Sequence, residues 1–228
     1  MVENKSTKCY PLGGGKHYPV GACRRPPVGV YLQSMDTLTF PLPNQVFLIV
    51  APHAARSHML DLAARLALHG GVRILDAGNQ CNVYPIAQRL RRSTPDVNTA
   101  LARIQVRRAF TCYQVAALLV ETPPAPTATL VLDFLATFYD EDVRLPEATQ
   151  LLRGCLSHLR RLAEQAPVLV AARPPAPVCA ERVVLLDLLR DSAAVVWEVD
   201  ETSGGPAGPA SHAGRGKNAG QDRLPGGE

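Results

Sequence analysis

The sequence predicts an α/β fold: a mainly parallel sheet with helices on both faces. Short apolar runs of strand length alternate with stretches of helical spacing between residues 45 and 200. Runs such as QVFLIVA and VLVAA are apolar throughout, as strands buried on both faces are. Hydrophobic residues make up 46% of the 228-residue chain and aromatics 5%, so a real core is available and must rest on Leu, Val, Ile and Ala.

The elements follow in order. Residues 45–51 read as a first strand. Residues 58–69 have helical spacing through Met59, Leu60, Leu62, Ala63, Leu66 and Leu68, and Gly70-Gly71 ends that helix. VRILD at 72–76 is a second strand. Residues 84–92 form a helix, and another runs from Pro95 to about Arg103. Residues 104–107 make a third, weaker strand. Thr111 can cap a helix through Glu121. TLVLD at 129–133 is a fourth strand, 146–165 a long helix, 168–172 a fifth strand, 181–190 a helix and 193–199 a sixth strand. In such sheets ligands bind at the carboxyl ends of the strands. The loops that matter are then 52–57, 77–82, 134–143 and 173–179.

Three regions are expected. Residues 1–44 form an irregular arm with Gly13-Gly14-Gly15, Pro26-Pro27 and Pro41-Leu42-Pro43. Residues 45–200 form the core. Residues 201–228 are Gly/Pro-rich with almost no large apolar residue and are expected to be disordered. The arm carries five Lys/Arg against two Asp/Glu, the core 16 against 15, and the tail three against three. A nearly neutral core argues against a broad nucleic-acid footprint. No apolar stretch is long enough for a membrane span, and the polar start shows no secretory signal, so the expected location is cytoplasmic. Six scattered cysteines without a C-x-x-C pair read as free thiols. Cys9, His17 and Cys23 match no common zinc spacing, so no metal site is assigned.

The first strand-to-helix turn reads Ala51, Pro52, His53, Ala54, Ala55, Arg56, Ser57, His58. A phosphate-gripping loop would read G-x-x-x-x-G-K-S/T here, with glycines to wrap phosphate and a lysine to reach the outer phosphates. The apolar fourth strand ends in Asp133, like a Walker B strand whose carboxylate organises magnesium. Gly13-Gly14-Gly15-Lys16 is a decoy, because no strand precedes it.

Together these pieces resemble the RecA/RadA recombinase family of P-loop ATPases. Ile74-Leu75-Asp76-Ala77 resembles the family's strand before its catalytic glutamate. Arg107 to Gln114, reading R-R-A-F-T-x-x-Q, resembles its A-R-A-F-N/T-x-x-Q segment. Residues 133–139 resemble its D-S-x-x-x-L-Y stretch, and 146–165 its helix ending in a Leu-Ala pair. The resemblance covers about 45–200 in consistent order and implies a three-layer RecA-like core. It marks Asp133, Asp76 and Gln114 as family-like positions and implies ATP with magnesium as the ligand of any surviving site.

The departures from the pattern are chemical. Against G-P-x-x-x-G-K-T/S, Arg56 falls at the second glycine, Ser57 at the lysine and His58 at the Thr/Ser. Slipping by one aligns Arg56-Ser57 with Lys-Ser but puts Val50 at the first glycine. The only lysines are Lys5, Lys8, Lys16 and Lys217, so the core cannot donate one. Gly78 stands where the glutamate belongs. The expected protein is therefore a pseudo-ATPase with no catalytic residues and at most residual nucleotide binding at 51–58. It would act as an accessory or regulatory factor in DNA recombination or repair, with a recombinase or repair factor as protein partner. Alternatives are an ATPase using Arg56, Ser57 and Asp133, and a scaffold with no nucleotide or DNA role. Arg89, Arg91, Arg92, Arg107 and Arg108 form a modest basic group. The family grips DNA through flexible loops after the fourth and fifth strands; here the first is acidic (Asp140, Glu141, Asp142) and the second short and proline-rich, so only weak DNA binding is expected.

Overall fold

The computed structural model describes residues 45–199. The arm at 1–44, the tail at 201–228, the Cys9–His17–Cys23 group and the Gly13–Lys16 decoy lie outside the described residues.

Six parallel strands form one sheet in the order β3-β2-β4-β5-β1-β6. They are β1 (Val46–Val50), β2 (Val72–Asp76), β3 (Ile104–Arg108), β4 (Ala128–Leu132), β5 (Val168–Ala172) and β6 (Val195–Glu198). Every residue of β1, β2 and β5 is buried, as their apolar runs demand. β3 and β6 are the edges, and both are largely exposed. That position explains why Ile104-Gln105-Val106-Arg107-Arg108 is the weakest strand signal in the sequence.

Helices cover both faces, an arrangement consistent with a three-layer RecA-like core. Val46, Leu48, Val50, Leu75, Val131, Val168 and Val170 pack with helices α4 (Cys112–Glu121), α5 (Leu145–Ala163) and α6 (Val183–Ser192). Strand side chains alternate, so Phe47, Ile49, Ile74 and Leu130 serve the opposite face. There α1 (Arg56–His69) packs against β2 and β4 and is flanked by α2 (Val83–Ser93) and α3 (Val97–Ala102).

Several local details depart from expectation. Helix α1 begins two residues earlier, at Arg56. Short 3-10 turns at Ala136–Tyr139 and Pro177–Arg182 occupy the loops after β4 and β5. Gly70 does end α1, but its φ of −178° is extended, so the left-handed freedom of glycine goes unused. Instead the Arg103 guanidinium donates to the last carbonyls, at 3.1 Å from Ala67 O and 3.0 Å from Leu68 O.

Candidate functional site at the carboxyl edge

The turn after β1 is tight. Ala51 N–H donates to Ala172 O of β5 at 3.1 Å, and Ala54 N–H returns to Ala51 O at 2.9 Å. Ala54 and Ala55 then adopt left-handed backbone with φ of 50° and 47°. A Cβ in that region costs roughly 1–2 kcal/mol, and a glycine would cost almost nothing. The chain thus takes a left-handed turn without the residue that makes it cheap. Ala51, Ala54 and Ala55 are buried, while Pro52, His53, Arg56, Ser57 and His58 are exposed. No side chain caps α1, and its first turn holds no acidic residue. Backbone amides and the helix dipole there favour an anion in principle. The lysine and the glycine wrap that grip phosphate are absent.

Asp76 and Asp133 lie at the ends of adjacent strands, β2 and β4. Asp76 is fully buried and already engaged. It accepts from Gln80 N–H at 2.8 Å, Cys81 N–H at 3.0 Å and Arg108 Nε at 2.8 Å. Arg108 also donates from Nη2 to Cys81 O at 2.8 Å, so carboxylate and guanidinium together fix the 77–81 loop. Asp133 sits one residue past the end of β4, with φ of 45°. Only 2% of its side chain is exposed, and Arg173 Nε lies 3.5 Å from its Oδ2. Its Oδ1 is buried and accepts no hydrogen bond from the described residues. Burial pushes the Asp133 carboxyl above its usual range; Arg173 opposes that and Asp76 adds to it. Gly78 packs directly against this carboxylate.

The loops after β4 and β5 are bolted together. Tyr139 Oη donates to Arg173 O at 3.0 Å. The buried Arg182 donates to Phe138 O at 2.8 Å and Val143 O at 2.6 Å. Asp140, Glu141 and Asp142 face solvent from this pinned loop.

The other family-like position has a local task. Thr111 caps α4 by accepting from Gln114 N–H at 3.2 Å, and Gln114 Oε1 accepts from Phe110 N–H at 2.8 Å. This reciprocal pairing is a close variant of a capping box. Three members of the basic group are paired: Arg89 with Asp61, Arg107 with Glu121 and Arg108 with Asp76, each at 2.8 Å. A groove of about 440 Å³ lies elsewhere, between α4 and α5, lined by Ala116, Val120, Leu151, Gly154, Cys155 and His158.

Among the described residues no group of three or more His, Cys, Asp or Glu is placed to hold a metal, and no helix is long and apolar enough to cross a membrane. Sequence reasoning missed Arg173 and the Asp76–Arg108 pair. The available signal was an arginine at the end of each strand neighbouring an aspartate. These residues do not fit a magnesium nucleotide as the family holds one: one carboxylate is consumed, the other faces a guanidinium, and the lysine is missing. No protein-family model matches the chain, and no curated protein matches it.

Proposed function

We propose that this chain is a non-catalytic, RecA/RadA-like protein that works through protein contacts as an accessory or regulatory factor in DNA recombination or repair. The observation that carries the non-catalytic part is the state of the two carboxylates. Asp76 is saturated by three donors and Asp133 faces Arg173, so neither is set up to organise magnesium. The absence of lysine from the core and the Gly78–Asp133 packing point the same way. The link to recombination rests on the sequence resemblance across residues 45–200. The pinned, acidic loop at 134–143 supports a protein partner over a gripped DNA strand, because single-strand binders use basic and aromatic surfaces.

The test is ATP hydrolysis with magnesium, read beside melting temperature with and without the nucleotide. The expected result is no turnover above background. Turnover that disappears in Asp133→Ala would establish the ATPase alternative instead. A melting temperature raised by ATP with magnesium, without turnover, would reveal a surviving binding site, since a ligand of the folded state must stabilise it.

A further inference from the structure

Four neighbouring strands, β3, β2, β4 and β5, carry a row of charges at their carboxyl ends. In spatial order these are Arg108, Asp76, Asp133 and Arg173. Arg108 is the register partner of Asp76. Asp133 and Arg173 directly follow the paired strands β4 and β5. Ala77 N–H donates to Leu132 O at 3.1 Å, which holds the two inner strand ends together. The row reads positive, negative, negative, positive.

We propose that this edge supplies its own cations: Arg108 and Arg173 replace the divalent ion that two adjacent buried carboxylates would otherwise need. The aspartate side chains are 0% and 2% exposed, whereas the arginine side chains are 37% and 42% exposed. The cations stay partly hydrated, so only the inner members of the row pay heavily for desolvation. Arg108 also does the organising work of a metal, because it bridges Asp76 Oδ2 and Cys81 O and so closes the loop between them. Arg173 is the looser partner. It leaves Oδ1 of Asp133 buried with no donor among the described residues. Removing the Arg173 side chain takes the counter-charge from the buried Asp133 carboxylate while Asp76 stays held by its three donors, so a hard divalent cation bound through oxygen is the charge that can take its place at Asp133.

This inference goes beyond the pseudo-ATPase reading and uses no nucleotide, so the two fail separately. The experiment is thermal unfolding of the full chain with manganese chloride or magnesium chloride alone. The wild type is expected to show no metal-dependent shift. Arg173→Met is expected to melt lower and to recover by about 3 °C at saturating metal. In Arg173→Met with Asp133→Asn, the response should vanish. If Arg173→Met does not fold, Arg173→Gln carries the same comparison. A wild type that responds as strongly as the variant would overturn the proposal. So would a variant indifferent to both metals, or a response that persists without the Asp133 carboxylate.

Discussion

A Cβ placed on Gly78 would lie 2.5 Å from the Cβ of Asp133 and 2.8 Å from its Oδ2. The first contact is with an atom fixed by the backbone, so no side-chain rotation relieves it. Position 78 therefore has no room for a side chain. Gly78→Ala should destabilise by about 1–3 kcal/mol, the usual cost of overpacking. Gly154→Ala is the control. A Cβ there meets nothing within 4 Å, in the interior of α5. It should stabilise by about 0.5–1 kcal/mol through helix propensity. Urea unfolding checks both, and a neutral Gly78→Ala would contradict the close approach. Gly78→Glu should fare worse than alanine.

Arg182, at the end of the 3-10 turn that follows β5, pins the loop after β4. Its guanidinium donates to Phe138 O and Val143 O and is 95% buried by side chain, with 5% exposed. Arg182→Met keeps most of the length but strands two carbonyls. The expected cost is about 2–4 kcal/mol, combining lost charged hydrogen bonds with buried acceptors left unpaired. Hydrogen exchange should accelerate at residues 138–143 before the central strands respond. Unchanged protection there would show that the loop is held by something else.

The alternation of strands and helices was legible because burial on both faces writes itself as continuous apolar runs. Val168–Ala172 came out at its true bounds for that reason. The Thr111 cap was legible because capping is local. The charge row was not. Asp76 and Arg108 are 32 residues apart in sequence, and their pairing exists only once β2 and β3 lie in register. The sequence places Asp133 at the end of its strand, because an apolar run gives no hint that the next residue turns left-handed. The left-handed alanines at 54 and 55 were hidden for the opposite reason. Alanine carries no turn signal, and the sequence shows only that glycine is absent there.

Asp133 should leave a mark on the pH dependence of stability. Its folded carboxyl is raised above the ordinary value of 3.8, chiefly by burial. The folded state thus holds the proton more tightly than the unfolded chain does. That preference stabilises the fold below the unfolded value and is lost as pH rises through the raised folded one. Asp133→Asn cannot ionise and avoids the loss. Relative to wild type, the variant should gain stability as pH climbs from about 4 to 7. Melting temperatures of the two proteins across that range measure the gap. A constant gap would mean that Asp133 titrates like a solvated carboxylate.

The exclusion of lysine from the core has a structural counterpart in Arg161. Its Nη2 donates to three carbonyls at the end of α4: Leu119 O at 2.9 Å, Val120 O at 3.3 Å and Thr122 O at 2.9 Å. Orphan carbonyls at a helix end need donors, and a planar guanidinium can hold a hydrogen at a fixed angle among several of them. An ammonium is more strongly hydrated, is compact, and sits on a flexible stem. Arg161→Lys should therefore cost about 1–2 kcal/mol although charge is conserved. Arg89→Lys, at an exposed pair with Asp61, should stay within about 0.5 kcal/mol. Equal costs at the two positions would remove geometry as the reason for arginine, leaving composition bias alone.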